Sequence, residues 1–176
     1  MSNINVRTNS GDVYETPEEL TEEILKKEKF EGIVLEPCCA SGRMSKVIEK
    51  YGYKVISSDI RTEDIYGKNE SDFLNYSGVV DNIMTNPPYS IATKIIEHAL
   101  EHYSKKIIVL VRDQYLNGIG RKELYEKYPP KRVYAISKRP TLYPAGQEKP
   151  KNPGQIDYIW IVWEKNYKGI TELCWI

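Results

Sequence analysis

The chain has 176 residues and a formal net charge of zero, with 40% hydrophobic and 28% charged residues, which is typical of a globular protein. Its 14 Tyr and 3 Trp provide enough apolar surface to exclude a wholly disordered chain. No apolar run approaches the roughly 18 residues of a membrane span, and residues 1–12 lack a signal-peptide pattern. We therefore expect a cytoplasmic protein without membrane association.

Apolar periodicity and turn residues predict strands that alternate with helices. The first helix is predicted to begin after Thr16, a capping residue that precedes Pro17. The predicted helices span 17–30, 44–51, 92–102 and 121–127, and the predicted strands span 32–35, 54–60, 79–85, 107–111, 132–137 and 158–163. Residues 140–155, between the last two strands, hold four prolines and two glycines and are predicted to form an exposed loop.

This order predicts an α/β fold in one domain, residues 1–176. Strands separated by helices form a mostly parallel sheet with helices on both faces. The last two strands have no helix between them, which predicts an antiparallel C-terminal hairpin. Ligands bind such sheets at the carboxyl ends of the strands, where the strand order reverses.

Two polar clusters lie at the predicted ends of the first two strands. Glu36-Pro37-Cys38-Cys39-Ala40-Ser41-Gly42 joins a strand to a helix, where small residues let the backbone approach a nucleotide-like ligand. Glu36 suits an ammonium group rather than a phosphate, which favours a cationic amino-acid ligand. Asp59, 23 residues further on, can accept hydrogen bonds from ribose hydroxyls. By itself, the loop is also compatible with an ordinary tight turn.

Asn86-Pro87-Pro88-Tyr89 follows the third predicted strand and is the most specific motif. An exocyclic amino group on a purine is a poor nucleophile because its lone pair is delocalised into the ring. The Asn86 side-chain oxygen and the Pro87 carbonyl can accept its two hydrogens and draw the nitrogen toward a tetrahedral shape. Neither proline has an N–H that competes, and Tyr89 can stack on the base. The alternative is a Pro-Pro turn that ends the strand, with Tyr89 in the core.

These motifs resemble those of S-adenosylmethionine-dependent N6-adenine DNA methyltransferases. Residues 36–42 look like motif I, and Asn86–Tyr89 look like motif IV. Tyr14-Glu15-Thr16-Pro17 resembles the N-terminal cofactor motif, and Asp72-Phe73-Leu74 resembles the motif that holds the cofactor's adenine. The motif order is the gamma arrangement, and the tail resembles small phage and prophage enzymes. The resemblance covers nearly the whole chain.

The resemblance implies a Rossmann-like class I methyltransferase fold with a seven-stranded sheet, and S-adenosyl-L-methionine as cofactor. It implies catalytic roles for Asn86, Pro87, Pro88 and Tyr89, and no metal. The implied cofactor-binding residues are Tyr14, Thr16, Pro17, Glu36, Pro37, Cys38, Ala40, Gly42, Asp59, Ile60, Asp72, Phe73 and Asn86. Tyr143 is placed as a second aromatic that clamps the target base, although an ordinary loop role is also open for it.

The sequence departs from the family in two respects. Ala40 stands where motif I usually has its first glycine, and we expect no target-recognition domain after the catalytic domain. Target choice would then depend on short loops, a separate recognition subunit or a homo-oligomer. Motif IV also serves enzymes that methylate adenine N6 or guanine N2 in RNA, or glutamine N5 in proteins. A non-catalytic cofactor-binding subunit is a further alternative.

The charge distribution favours nucleic acid, most of all DNA, as the substrate. Residues 105–151 carry 12 Lys and Arg against 4 Asp and Glu, although the whole chain is neutral. Arg139, Lys149 and Lys151 are candidate phosphate contacts beside a base held by Tyr89. The alternative is that these charges are simply solvated.

Three other groups of residues are interpreted as structural. His98 and His102 have zinc-like spacing on a helix, but no third ligand accompanies them, which favours a pair at the edge of the core. Cys38, Cys39 and Cys174 lack metal-ligand spacing and are expected to be reduced thiols. Trp160 and Trp163 are predicted to lie in the core or at a sheet edge.

Overall fold

The computed structural model describes residues 14–144 and 154–176. The strands are β1 (Tyr14–Glu15), β2 (Ile33–Glu36), β3 (Lys54–Ser57), β4 (Val80–Thr85), β5 (Tyr103–Arg112), β6 (Arg132–Ala135), β7 (Tyr143–Pro144), β8 (Tyr158–Glu164) and β9 (Glu172–Trp175). The helices are α1 (Glu18–Lys27), α2 (Arg43–Lys50), α3 (Ala92–Glu101) and α4 (Ile119–Lys127). No helix of the described residues is long and apolar enough to cross a membrane.

Seven strands form one sheet in the order β3-β2-β4-β5-β8-β6-β9. Strand β8 runs antiparallel to both its neighbours, β5 and β6, and the other neighbouring pairs are parallel. The predicted mostly parallel α/β sheet and its antiparallel C-terminal pair are therefore confirmed. The strand order reverses at β2, because β3 lies on one side of it and β4 on the other. Ligands of open α/β sheets bind at such a reversal.

The sheet separates two apolar cores, as expected for helices on both faces. Ile107, Val109 and Val111 of β5 pack on the face that α3 and α4 cover. Ile108 and Leu110 of the same strand pack on the opposite face, against α1 and α2. Because β5 is buried on both faces, its sequence is a continuous apolar run rather than an alternating one. The sheet thus provides a rigid base for the loops at its carboxyl edge.

The two predicted core tryptophans lie in different cores. Trp160 packs with α1 and α2, and Trp163 packs with α3 and α4. Their separation by three positions along β8 directs the two side chains to opposite faces of the sheet.

The boundaries differ from prediction where distant pairing sets them. Strand β5 begins at Tyr103, four residues before the predicted start, because Tyr103 and Lys106 still pair with β4. Strand β3 ends at Ser57, and the chain then bends. Three short strands were not predicted: β9 joins the sheet edge beside β6, and β1 pairs with β7 in a separate two-stranded sheet. Elements of two to four residues have too little periodicity to be recognised from sequence.

The predicted cap of the first helix is replaced by a long-range contact. Helix α1 begins at Glu18, after Pro17, and no side chain caps it. The Thr16 hydroxyl instead accepts a hydrogen bond of 3.1 Å from the Asn86 amide. This bond ties the segment before α1 to the loop after β4.

Candidate active site

A cleft opens at the carboxyl ends of β2 and β4. Five separate parts of the chain line it, and most of the predicted site residues are among them: Tyr14, Pro37, Cys38, Ala40, Asp59, Ile60, Asp72, Phe73, Asn86, Pro87, Pro88 and Tyr89. The fold thus brings the sequence motifs together at the strand reversal.

A smaller cavity adjoins the cleft. It shares four lining residues with the cleft, namely Tyr14, Cys38, Ala40 and Asn86. Its other walls include the charged or polar residues Glu15, Thr16, Glu36 and Arg43. The two spaces together form an elongated site with one polar end.

Glu36 is a buried carboxyl at that polar end. It accepts a hydrogen bond from the Ser45 hydroxyl, which in turn lies 2.6 Å from the Ser57 hydroxyl. Burial, with a smaller contribution from the nearby carboxylates of Asp59 and Glu15, raises the pKa of Glu36 to about 8, although the hydrogen bonds with Ser45 lower it. The carboxyl is therefore mostly protonated at neutral pH until a cation binds beside it.

Arg43 lines the same small cavity and was not predicted as a site residue. It is the first residue of α2, and its Nε lies 3.4 Å from a carboxylate oxygen of the buried Glu15. A guanidinium and a helix amino terminus both attract a carboxylate. Glu36 and Arg43 thus give this cavity one acidic and one basic side chain.

The loop between β2 and α2 adopts left-handed backbone conformations at two positions. Ala40 has a φ of 48°, and its N–H donates to Asp59 Oδ2 at 3.0 Å. The glycine usual at this position in the family would adopt that φ without strain. Gly42 has a φ of 80°, and a Cβ there would lie 2.2 Å from the Tyr66 ring. Gly42 therefore shapes the turn but lines neither cavity.

Asp59 lies two residues after the end of β3, where the sequence predicted a ribose acceptor. Its Oδ1 accepts hydrogen bonds from the backbone N–H and the Nε of Arg61, at 3.0 and 3.1 Å. Its Oδ2 accepts a hydrogen bond of 3.0 Å from the Ala40 N–H and a longer one of 3.5 Å from Arg61 Nη2. A ligand hydroxyl at Oδ2 would therefore compete with the longer bond from Arg61.

Asp72 and Phe73 form the far wall of the cleft. The Asp72 carboxylate accepts bonds of 2.9 Å from the Leu74 N–H and the Asn75 amide, which fixes a short 3-10 turn. Phe73 is buried in this turn, and the His98 ring packs edge-on against it at 4.9 Å. The Phe73 ring therefore gives this wall an apolar surface, and its contact with His98 holds the ring in place.

Asn86 is held in one orientation at the junction of the two cavities. Its Nδ2 donates to the Thr16 hydroxyl at 3.1 Å and to the Tyr14 carbonyl at 3.5 Å. Its Oδ1 is buried and has no hydrogen-bond partner. A flipped amide would face the Tyr14 carbonyl with its oxygen, so this orientation is the favourable one. An unsatisfied buried acceptor costs about 1–3 kcal/mol, which a ligand donor would recover.

Tyr89 lies beside Asn86 in the lining of the cleft. Its hydroxyl lies 3.2 Å from the hydroxyl of Tyr158, and its ring centroid lies 5.5 Å from that of Tyr14. The Arg112 guanidinium carbon lies 4.2 Å from the ring centroid. Burial raises the pKa of the Tyr89 hydroxyl. The ring is therefore neutral and is held in place by these contacts.

Solved structures share this fold. No protein-family model matches the sequence, and no curated protein matches it. A protein described as the modification subunit of a type I restriction enzyme from Vibrio vulnificus superimposes with a TM-score of 0.65 at 14% identity, covering 94% of this chain and 46% of that chain. A dimethyladenosine transferase from Plasmodium falciparum superimposes with a TM-score of 0.58 at 18% identity, covering 87% of this chain and 63% of that chain. Magnesium protoporphyrin IX methyltransferase from Synechocystis, crystallised with bound SAM, superimposes with a TM-score of 0.55 at 13% identity. The match covers 82% of this chain and 76% of that chain.

This chain has the Rossmann-like fold of class I methyltransferases. At such identities the likeness concerns the fold, so the activity has to be argued from the site. The chain also spans only about half the length of the modification subunit and about two thirds of the dimethyladenosine transferase.

Several predicted residues do not reach the cleft. Pro17 precedes α1 outside both cavities. Tyr143 is buried in β7 opposite Glu15, with the Arg43 guanidinium 5.3 Å from its ring centroid, so its ring is not free to clamp a base. Arg139 is exposed and forms an ion pair of 2.8 Å with Asp157. Lys149 and Lys151 lie outside the described residues.

The residues interpreted as structural behave as expected. His98 and His102 bond to the backbone carbonyls of Tyr76 and Gly78, at 2.9 and 2.7 Å. All three cysteines are free thiols, which confirms the prediction for Cys38, Cys39 and Cys174. Burial raises the pKa of the Cys38 thiol, so this residue contributes a small neutral surface to the cleft.

Sequence reasoning missed three arginines of the site, Arg43, Arg61 and Arg112. Arg43 could have been predicted from the sequence, since it is the first helical residue after residues 36–42. Arg61 could also have been predicted, because it follows Asp59 by two positions. Arg112 could not have been predicted in the same way, because the sequence shows only that a cation ends an apolar strand. Its contact with Tyr89 depends on how β5 and β8 pair.

Proposed function

We propose that this protein is an S-adenosylmethionine-dependent methyltransferase that acts on an exocyclic amino nitrogen, N6 of adenine in DNA. The observation that carries the proposal is the buried, unpartnered Oδ1 of Asn86, at the junction of the two cavities. Pro87 lines the same cleft. We propose that its carbonyl and Asn86 Oδ1 accept the two hydrogens of an amino group.

The chain's own contribution to the reaction is orientation and hydrogen bonding. Asn86 Oδ1 and the Pro87 carbonyl accept the two amino hydrogens, which localises the nitrogen lone pair for attack. Tyr89 stacks on the base and fixes its plane. S-adenosylmethionine, when bound, supplies the electrophilic methyl group.

The described residues fit this cofactor. Glu36 and Arg43 line the small cavity, and we propose that they bind the ammonium and the carboxylate of the methionine part. Asp59 can accept from the ribose, and Phe73 and Ile60 offer apolar contact to the adenine. We propose that the other cofactor contacts come from Tyr14, Thr16, Pro37, Cys38, Ala40, Asp72 and Asn86.

Nucleic acid is the proposed substrate because of local charge and similar folds. The stretch 105–151 has an excess of basic residues, and Arg139, Lys149 and Lys151 are proposed to contact phosphates. Two of the structural neighbours are described as a restriction modification subunit and a dimethyladenosine transferase. We propose that residues 1–176 act as one catalytic domain, and that a separate recognition subunit or a second copy selects the target.

Methyl transfer to separate substrate pools tests the proposal. The protein is incubated with radiolabelled S-adenosylmethionine and with DNA, RNA or protein, and the labelled product is digested and identified. We expect label in DNA, as N6-methyladenine. Label in RNA or in glutamine would reassign the substrate, and absence of label with intact cofactor binding would favour a non-catalytic subunit.

Asp59 should be needed for cofactor binding. Its replacement by alanine removes the proposed ribose acceptor and the support of Ala40, so we expect the Kd for S-adenosylmethionine to rise at least tenfold in calorimetry. Asp81 is a matched control, since its carboxylate also accepts a backbone N–H, that of Ile33, but lies outside the cleft. Asp81→Ala should bind the cofactor normally. No heat from the wild type at millimolar cofactor would contradict the proposal.

Thr16 should set the orientation of Asn86. Thr16→Val leaves the buried Asn86 Nδ2 without its short hydrogen bond, which we expect to lower the single-turnover methylation rate about tenfold at saturating cofactor. Thr16→Ser keeps the hydroxyl and should restore most of the rate. Equal rates for the valine variant and the wild type would show that the bond does not position Asn86.

A further inference from the structure

Arg112 lies at the carboxyl end of β5, next to the proposed site for the target base. It is the last residue of β5 and pairs with Tyr158 of β8. Tyr158 in turn contacts the Tyr89 hydroxyl, and the Arg112 guanidinium packs over the Tyr89 ring at 4.2 Å. Arg112 therefore lies against the residue proposed to stack on the base.

The guanidinium of Arg112 is unpaired. Among residues 14–144 and 154–176, it forms neither an ion pair nor a hydrogen bond, and its Nε is buried without a partner. The other arginines of this part of the chain each have a polar partner. Arg43, Arg61, Arg132 and Arg139 form ion pairs with carboxylates, and Arg121 donates to a backbone carbonyl. The half-buried guanidinium of Arg112 has five N–H donors, and none of them has an acceptor among the described residues. It can therefore bind an anion.

The stacking geometry leaves the donors available. A guanidinium packs on an aromatic ring through its face, whereas its N–H bonds point outward in its own plane. Arg112 can thus remain on Tyr89 while its terminal nitrogens bind a planar or tetrahedral oxyanion. The side chain is partly exposed, so such an anion can reach it from solvent.

We propose that Arg112 binds a backbone phosphate of the strand whose base stacks on Tyr89. This inference rests on the proposed function, because it takes nucleic acid as the substrate. Arg112 then links the two contacts: Tyr89 holds the base, and the residue that packs on Tyr89 holds the adjoining phosphate. The contact is independent of sequence and positions the nucleotide over Asn86.

Charge and stacking can be separated by two variants. Arg112→Gln removes the charge, and Arg112→Lys keeps it but loses the planar stacking group. Steady-state methylation of a short duplex with one central adenine is measured at several salt concentrations. One lost phosphate contact should reduce the slope of log(kcat/KM) against log salt by about 0.9 in Arg112→Gln, with a KM about tenfold higher at low salt. Arg112→Lys should keep the wild-type slope.

Lys122→Gln is the matched control, because Lys122 is an exposed cation on α4 that pairs with Glu126. It should leave slope and KM unchanged. Thermal melting and cofactor affinity establish that each variant is folded. An unchanged salt slope in Arg112→Gln, or an equal fall of kcat in both Arg112 variants without a change in slope, would overturn the inference. Failure of the wild type to methylate DNA would instead overturn the proposed function.

Discussion

Asn86→Ala should lower the rate of methyl transfer about 100- to 1,000-fold and leave the affinity for S-adenosylmethionine within a few-fold. Asn86 Oδ1 is an acceptor for the amino group of the substrate, and the loss of one preoriented hydrogen bond at a reacting centre typically has an effect of this size. Single-turnover kinetics at saturating cofactor measure the chemical step, and calorimetry measures cofactor binding. A fall of kcat without a matching fall of affinity would assign Asn86 to the chemical step.

Asn82, within β4, offers a control for Asn86, which follows that strand. Like Asn86, it has a buried Oδ1 without a partner, and its Nδ2 donates to the backbone carbonyls of Glu31 and Ile33. It lies four residues earlier in β4, outside the cleft. Asn82→Ala should cost about 1–3 kcal/mol of stability and keep the rate per folded molecule. Normal turnover in Asn86→Ala would show that residues 86–89 form only a turn.

Glu36→Gln should abolish tight cofactor binding and at the same time stabilise the ligand-free protein. Burial raises the pKa of Glu36 to about 8, from 4.5 for an ordinary glutamate. Between these two pH values the folded protein binds more protons at this group than the unfolded chain does. The stability therefore falls as the pH rises from 4.5 to 8, and it levels off above 8. A neutral glutamine lacks this effect and should be roughly 3 kcal/mol more stable at pH 7.

The affinity for the cofactor should increase with pH, whereas the stability of the ligand-free protein decreases. An ammonium group beside Glu36 favours its ionised form, so binding releases a proton and tightens as the pH rises from 6 toward 8. Glutamine cannot provide the charge, and the Kd should increase at least 100-fold, since the removal of one member of a buried charge pair costs about 2–5 kcal/mol. Thermal melts and calorimetry across pH 5–9 measure both effects. A wild-type affinity that does not vary with pH would show that Glu36 stays neutral in the complex.

Glu28 is a control because its pKa is shifted in the opposite direction to that of Glu36. It is also a buried glutamate, but it lies at the other end of the sheet, where Arg132 and Lys106 bind its carboxylate. Burial opposes its ionisation, yet these hydrogen bonds and charges prevail and hold the pKa of Glu28 below its usual value. Glu28→Gln should therefore destabilise the protein and leave cofactor affinity unchanged. Together the two variants distinguish a carboxyl that serves a ligand from one that serves the fold.

The sequence by itself determined the α/β class and the position of the motifs at strand ends. Buried strands such as β5 are continuous apolar runs, and turn residues mark where each strand stops, so local chemistry is sufficient there. The four residues from Asn86 to Tyr89 were identified because two prolines after an apolar strand fix a carbonyl and leave no competing donor. All four line the cleft.

Only the tertiary structure decided which side chains meet. Thr16 looks like a helix cap in the sequence, but its hydroxyl accepts from Asn86, 70 positions away. Tyr143 looks like a free loop aromatic, but pairing of β7 with β1 buries it. Arg112 is one cation among many until the pairing of β5 with β8 sets it over Tyr89. Local sequence encodes backbone conformation, whereas partners distant in sequence are chosen by the packing of strands across the sheet.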